Sequence, residues 1–94
     1  MTLEDIKRAV ISVAERYHIK KATLFGSRAL GIENKDSDVD LIFEFDHSVS
    51  LITLMSLKYD LEEWLGVSVD VVHGPIREGD MIIVNKEVVL YDAA

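Results

Sequence analysis

The sequence has 94 residues, 49% of them hydrophobic, and its formal net charge at pH 7 is −7. These values predict one folded domain over residues 1–94, and they argue against a disordered tail and against a nonspecific nucleic-acid binder, which needs a basic surface. No apolar run approaches the ~20 residues of a membrane span, and the absence of cysteine excludes disulfides and fits a cytoplasmic protein.

The spacing of apolar residues and the turn residues predict the helices and strands. Thr2 is the expected N-cap of the first helix, and Ser50 and Gly66 are the expected N-cap and C′ residue of the second. Lys20 and Lys21 are expected to follow the first helix, where cations suit the helix dipole. The predicted elements, in chain order, are helix 3–17, strand 22–25, polar loop 28–37, strand 38–45, helix 51–65, strand 67–72, a short helix within 76–84 and strand 88–91.

This order of elements predicts an α/β (α+β) fold. A helix crosses between the second and third strands, which favours a parallel pair, and the short link between the first two favours an antiparallel pair. We therefore expect a small mixed β-sheet with helices packed on one face. We expect Trp64 in the core beside Leu61 and Leu65; the alternative is an exposed tryptophan that anchors a partner. We expect no chemistry from the three histidines, which are scattered along the sequence.

Three aspartates form a candidate metal site. Asp38 and Asp40 open the second strand, share one face and lie roughly 6.6 Å apart along it. Asp70 alternates with apolar neighbours in the third strand, so it can face this pair if the two strands are adjacent. Glu44 shares the face but lies roughly 13 Å from Asp40, too far for shared coordination. Carboxylates are ligands for Mg²⁺; the alternative is that Asp38 caps the loop and Asp40 is only solvated.

A Gly26-Ser27 pair ends the first apolar strand, and ten residues separate it from Asp38. Phosphate groups need close backbone approach and hydrogen-bond donors, and glycine permits that approach. Arg28 can add positive charge to phosphate binding or be a solvated loop residue. The layout can therefore hold a nucleoside triphosphate beside the acidic residues.

These segments, Phe25–Ala29 and Ser37–Leu41, resemble the nucleotidyltransferase motif of the polymerase-beta-like superfamily. The short chain is similar to the minimal nucleotidyltransferases (MNT), antitoxins of HEPN/MNT toxin–antitoxin systems. The resemblance implies the polymerase-beta-like fold, with two magnesium ions held by the three aspartates and the triphosphate bound by the Gly-Ser pair. The implied site residues are Asp38, Asp40 and Asp70 for catalysis and metal binding, and Gly26, Ser27 and Arg28 for the nucleotide.

The resemblance also implies that ATP supplies AMP to a tyrosine of a HEPN-type ribonuclease toxin, which blocks the toxin. Larger relatives hold the acceptor with a C-terminal helical domain that this sequence lacks. We therefore expect the acceptor to be held by a partner protein or by a homodimer of this chain. Two alternatives stay open: an interaction module that neutralises its partner by binding alone, and a small-molecule nucleotidyltransferase that works with a separate helical subunit.

Overall fold

A computed structural model describes residues 2–26, 38–74 and 87–93. In these ranges the chain forms two helices and four strands: α1 (Leu3–Ala14), β1 (Ile19–Phe25), β2 (Val39–Phe45), α2 (Leu51–Leu65), β3 (Val69–His73) and β4 (Val88–Asp92). The predicted loop over 28–37 and the predicted short helix within 76–84 lie outside the described residues.

Helix α1 begins where the sequence predicts and ends earlier. The Thr2 hydroxyl accepts from the backbone N–H of Asp5 at 3.2 Å, and the Asp5 carboxylate accepts from the N–H of Thr2 at 2.8 Å. This reciprocal cap satisfies two donors at the start of the helix. The predicted end at residue 17 is wrong, because residues 15–18 form a turn in which His18 takes a φ of 56°.

Strand β1 begins at Ile19, three residues before its predicted start. Lys20 and Lys21 therefore lie in the strand and do not follow the helix as predicted. Pairing explains the difference, because Ile19 lies opposite Phe45 of β2 and Lys21 lies opposite Asp92 of β4. Neighbouring strands on both sides extend β1 into a polar segment that has no apolar pattern of its own.

Helix α2 has the predicted boundaries. The Ser50 hydroxyl accepts from the N–H of Thr53 at 3.1 Å and caps the first turn. Gly66 has a φ of 74°, and its N–H donates to the carbonyl of Glu62 at 2.8 Å. A left-handed glycine of this kind ends a helix without the steric cost that a Cβ would add.

The four strands form one mixed sheet in the order β3–β2–β1–β4. β1 pairs antiparallel with β2 and with β4, and β2 pairs parallel with β3. Both predicted pairings are therefore confirmed, as is the predicted fold class. Of the two helices in the described part of the chain, neither is long and apolar enough to cross a membrane.

The core lies between the two helices and one face of the sheet. Leu57 and Leu61, one turn apart, define the buried side of α2. Trp64 is 61% exposed, so its predicted place in the core is wrong. It lines a groove with Ser12 of α1 and with Arg16 in the turn that follows α1. The fully buried larger side chains are Phe43, Ile6, Leu24, Leu41, Leu57, Leu61, Val10, Val39 and Val69.

Candidate active site

The acidic residues meet where β2 and β3 begin. In the parallel pair, Asp40 lies directly opposite Asp70, and Val39 lies opposite Val69. Both valines are fully buried on the core face, so the two aspartates project from the other face of the sheet. Asp38 immediately precedes β2. The structure thus brings Asp40 and Asp70 together, because the core sets the register of the two strands, and their role in metal binding stays a prediction.

The surroundings of Asp40 disfavour its negative charge. Burial raises the pKa of Asp40 to about 6, and a hydrogen bond with the Asp70 side chain adds to the shift. The negative charges of Asp70 and Asp38 raise it further. Negative charges this close repel one another, which favours the neutral form of Asp40. A bound cation would remove that repulsion.

Gly26 directly follows β1 and lies against this cluster. Its neighbour Phe25 lies opposite Asp40, and Gly26 takes a φ of 77°. A Cβ at this position would lie 2.3 Å from Oδ2 of Asp40 and 3.1 Å from its Cγ. Only glycine therefore leaves room for the present position of the Asp40 carboxyl group. The sequence did not predict this steric role, because the need for glycine at position 26 was attributed only to the close approach of a phosphate group.

The other predicted nucleotide-binding residues lie outside the described part of the chain. Ser27 and Arg28 directly follow Gly26, and their roles stay predictions, as does triphosphate binding by Gly26. Gly26, the described residue that precedes them, lies next to Asp40.

The donor chemistry of the site fits a magnesium ion. Asp38, Asp40 and Asp70 supply only carboxylate oxygens, the ligand type that Mg²⁺ prefers, and a divalent cation would lower the raised pKa of Asp40. Among residues 2–26, 38–74 and 87–93, however, no three His, Asp or Glu side chains are placed as a ready-made metal site. Asp40 and Asp70 face each other across the paired strands, and Asp38 lies directly before β2.

The histidines gather at the opposite end of the sheet. The rings of His18 and His47 lie 5.3 Å apart, and the ring of His73 stacks on Phe45 at 5.6 Å. His47 and His73 also line one open cavity together with Lys20. These residues lie far apart in sequence, and the ends of β2 and β3 bring them together. They lie at the end of the sheet away from the acidic cluster, and the expectation that they carry no chemistry stays a prediction.

Sequence comparison assigns the chain to a family. Residues 6–90 match the nucleotidyltransferase domain family, and this chain belongs to it. Its class of enzyme is therefore nucleotidyltransferase, and the resemblance drawn from the Gly-Ser and Asp-x-Asp motifs is confirmed.

Individual similar proteins have more narrowly defined activities than the family as a whole. The chain is 42% identical over 71 residues to a candidate protein adenylyltransferase of Methanocaldococcus jannaschii, with 76% of each chain covered. It is 33% identical over 94 residues to the protein adenylyltransferase MntA of Thermococcus cleftensis, with 95% of each covered. Its fold is similar, with a TM-score of 0.68 and 18% identity, to a structure of a tri-AMPylated Shewanella oneidensis HEPN toxin in complex with MNT antitoxin. That match covers 95% of this chain and 71% of the other.

Proposed function

We propose that this nucleotidyltransferase moves AMP from ATP to a hydroxyl group, that of a tyrosine, on a partner protein. The observation that carries the proposal is the register of β2 and β3, which sets Asp40 opposite Asp70 beside Gly26. The relatives that are protein adenylyltransferases support the choice of AMP as the transferred group and of protein as the acceptor.

In this proposal the three aspartates hold magnesium, with two ions expected from the resemblance. When bound, the metal neutralises charge on the triphosphate and stabilises an in-line displacement at phosphorus. Asp70 accepts the proton of the attacking hydroxyl group, since it is the more exposed member of the Asp40–Asp70 pair. The hydroxyl oxygen then forms a bond to the α-phosphorus, the bond from that phosphorus to the bridging oxygen breaks, and pyrophosphate leaves.

The proposed partner is a HEPN-type toxin, and the chain is its antitoxin. The likeness of the fold to that of an MNT antitoxin in complex with a HEPN toxin supports this choice. The net charge of −7 also suits a partner with a basic surface, since opposite charges steer association. We place the reaction in the cytoplasm, where ATP is available.

The test is transfer of labelled AMP to the protein encoded next to this chain, with Mg²⁺ present. Asp38→Asn and Asp40→Asn should each abolish labelling and preserve the fold. Asp46→Asn is the matched control, because Asp46 is exposed and lies beyond the far end of β2. Label on the neighbour that depends on Asp38 and Asp40 supports the proposal, and mass spectrometry then identifies the modified residue.

Two other outcomes of this test would overturn the proposal. If the chain still neutralises its neighbour after Asp38 and Asp40 are both replaced, and no label is attached to the neighbour, the chain is an antitoxin that acts by binding alone. If label appears only on a small molecule, the chain is a small-molecule nucleotidyltransferase that works with a separate helical subunit.

A further inference from the structure

Helix α2 contains an ion pair near the start of β3 that has no part in the proposed chemistry. In the last turn of α2, Oε2 of Glu62 accepts from the Nζ of Lys58 at 2.6 Å and from the backbone N–H of Val69 at 3.0 Å. Val69 is the first residue of β3 and directly precedes Asp70. One carboxylate thus connects the helix to the strand that carries a predicted metal ligand.

The hydrogen bond to Glu62 satisfies the backbone N–H of Val69, which has no partner within the described sheet. The N–H of Val39 donates to the carbonyl of Ser68 at 3.0 Å, as in a regular parallel pair. In that pattern the N–H of the opposite residue, Val69, points away from β2. β3 is the outer strand of the described sheet, so this N–H has no neighbouring strand to bond. Glu62 satisfies it.

Helix stability alone does not account for an acidic residue at Glu62. A negative charge in the last turn opposes the helix dipole, and the last turn of α2 contains no basic residue. A lysine four residues before a glutamate is also the weaker order for a pair on a helix. The pKa of Glu62 is nevertheless lowered, first by the hydrogen bond from Lys58 and then by that from Val69. The surroundings of Glu62 therefore favour its charged form.

We infer that Glu62 is a positioning residue of the active site: it holds the Val69 N–H and so fixes the start of β3 and the direction of the Asp70 side chain. Lys58 supports it by holding the carboxylate in place. The inference rests on the proposed function only in taking Asp70 as a metal ligand.

The test compares Glu62→Ala with Glu62→Gln. Alanine removes the acceptor, whereas glutamine keeps an oxygen for the Val69 N–H and loses the charge. Glu63→Ala is the matched control, because Glu63 lies in the same last turn and removing it relieves the same conflict with the helix dipole. All variants are measured at a temperature where circular dichroism shows them fully folded.

Two measurements need no turnover. Hydrogen exchange of the Val69 amide in the metal-free protein should become faster in Glu62→Ala and stay slow in Glu62→Gln and Glu63→Ala. Affinity for Mn²⁺, a paramagnetic substitute for Mg²⁺, should fall about 10-fold in Glu62→Ala, the usual effect of losing a group that orients a metal ligand, and glutamine should restore most of it. The Mg²⁺ concentration for half-maximal AMP transfer should rise in parallel.

The outcomes separate this inference from the proposed function. Equal Mn²⁺ affinity in Glu62→Ala and Glu63→Ala would overturn the inference even if the wild-type chain transfers AMP. A wild-type chain that binds no Mn²⁺ would overturn it as well. A wild-type chain that transfers no AMP but loses Mn²⁺ affinity in Glu62→Ala would refute only the proposed function.

Discussion

Replacing Gly26 with alanine should inactivate the enzyme at a modest cost in stability. Gly26 and Gly66 have nearly equal positive φ angles, 77° and 74°. A Cβ at Gly66 would meet nothing within 4 Å, whereas one at Gly26 would lie 2.3 Å from Oδ2 of Asp40. Gly66→Ala therefore measures the cost of the backbone conformation alone, and Gly26→Ala adds the displacement of Asp40.

The structure sets the size of both effects. A left-handed conformation costs an alanine about 1–2 kcal/mol, which should appear in the unfolding free energy of both variants. The atom nearest to the new Cβ at Gly26 is the end of a side chain that can rotate, and rotation separates Asp40 from the repulsive charge of Asp70. The stability of the two variants should therefore agree within about 1 kcal/mol. If Asp40 holds metal as proposed, the turned carboxylate would bind it less well, so AMP transfer should fall about 100-fold in Gly26→Ala alone.

Denaturant unfolding, AMP transfer and Mn²⁺ affinity in the absence of nucleotide test this reasoning. Weaker Mn²⁺ binding without nucleotide indicates that Asp40 has moved, whereas unchanged binding with lost transfer indicates that the new methyl group blocks the triphosphate. Gly26→Ala that transfers AMP as well as Gly66→Ala would refute the steric argument. So would a Gly26→Ala chain that is much less stable than Gly66→Ala.

Three further predictions concern stability. Without metal, Asp40→Asn should be more stable than wild type at pH 7 by about 1–2 kcal/mol, a value reduced for solvent screening of this half-buried group. Because the pKa of Asp40 is raised to about 6 in the folded chain, this stability difference should grow as the pH rises from 4 to 6. A stability difference that does not depend on pH in urea unfolding would contradict the prediction. Leu57→Ala should lower the unfolding free energy by about 3 kcal/mol, since Leu57 is fully buried, while Leu51→Ala on the same helix, at a position 74% exposed, should change it little in the same assay. Thr2→Ala should lower thermal stability by about 1 kcal/mol through loss of the reciprocal cap, and an unchanged melting temperature would argue against that cap.

Local signals in the sequence were enough for much of this fold. Ser50 and Gly66 act on their own neighbouring backbone, so they predict both ends of α2 correctly. The alternation of polar and apolar residues around Asp70 is also local, and it predicts which face the carboxylate occupies. The early start of β1 depends on pairing with Phe45 and with Asp92, which are distant in sequence, so no pattern near Lys20 could predict it.

The parts of the site that the sequence did not predict depend on contacts between elements. Glu62 is one acidic residue among several on α2, and only its hydrogen bond to Val69 distinguishes it. The steric need for glycine at Gly26 arises from Asp40 on the neighbouring strand. Exposure of Trp64 likewise follows from how α2 lies against α1, which helical spacing alone does not determine.

Because side chains alternate between the two faces of β3, the stability of the fold and the position of Asp70 depend on the same strand register. A slip by one residue against β2 would turn Asp70 into the space now filled by Val69 and Val71 and expose those valines to water. A misaligned chain would therefore lose its acidic pair and its folding energy together, and it would be unstable as well as inactive. For the same reason, inserting one residue between Gly66 and Val69 should be tolerated less well than an insertion of the same size in an exposed turn.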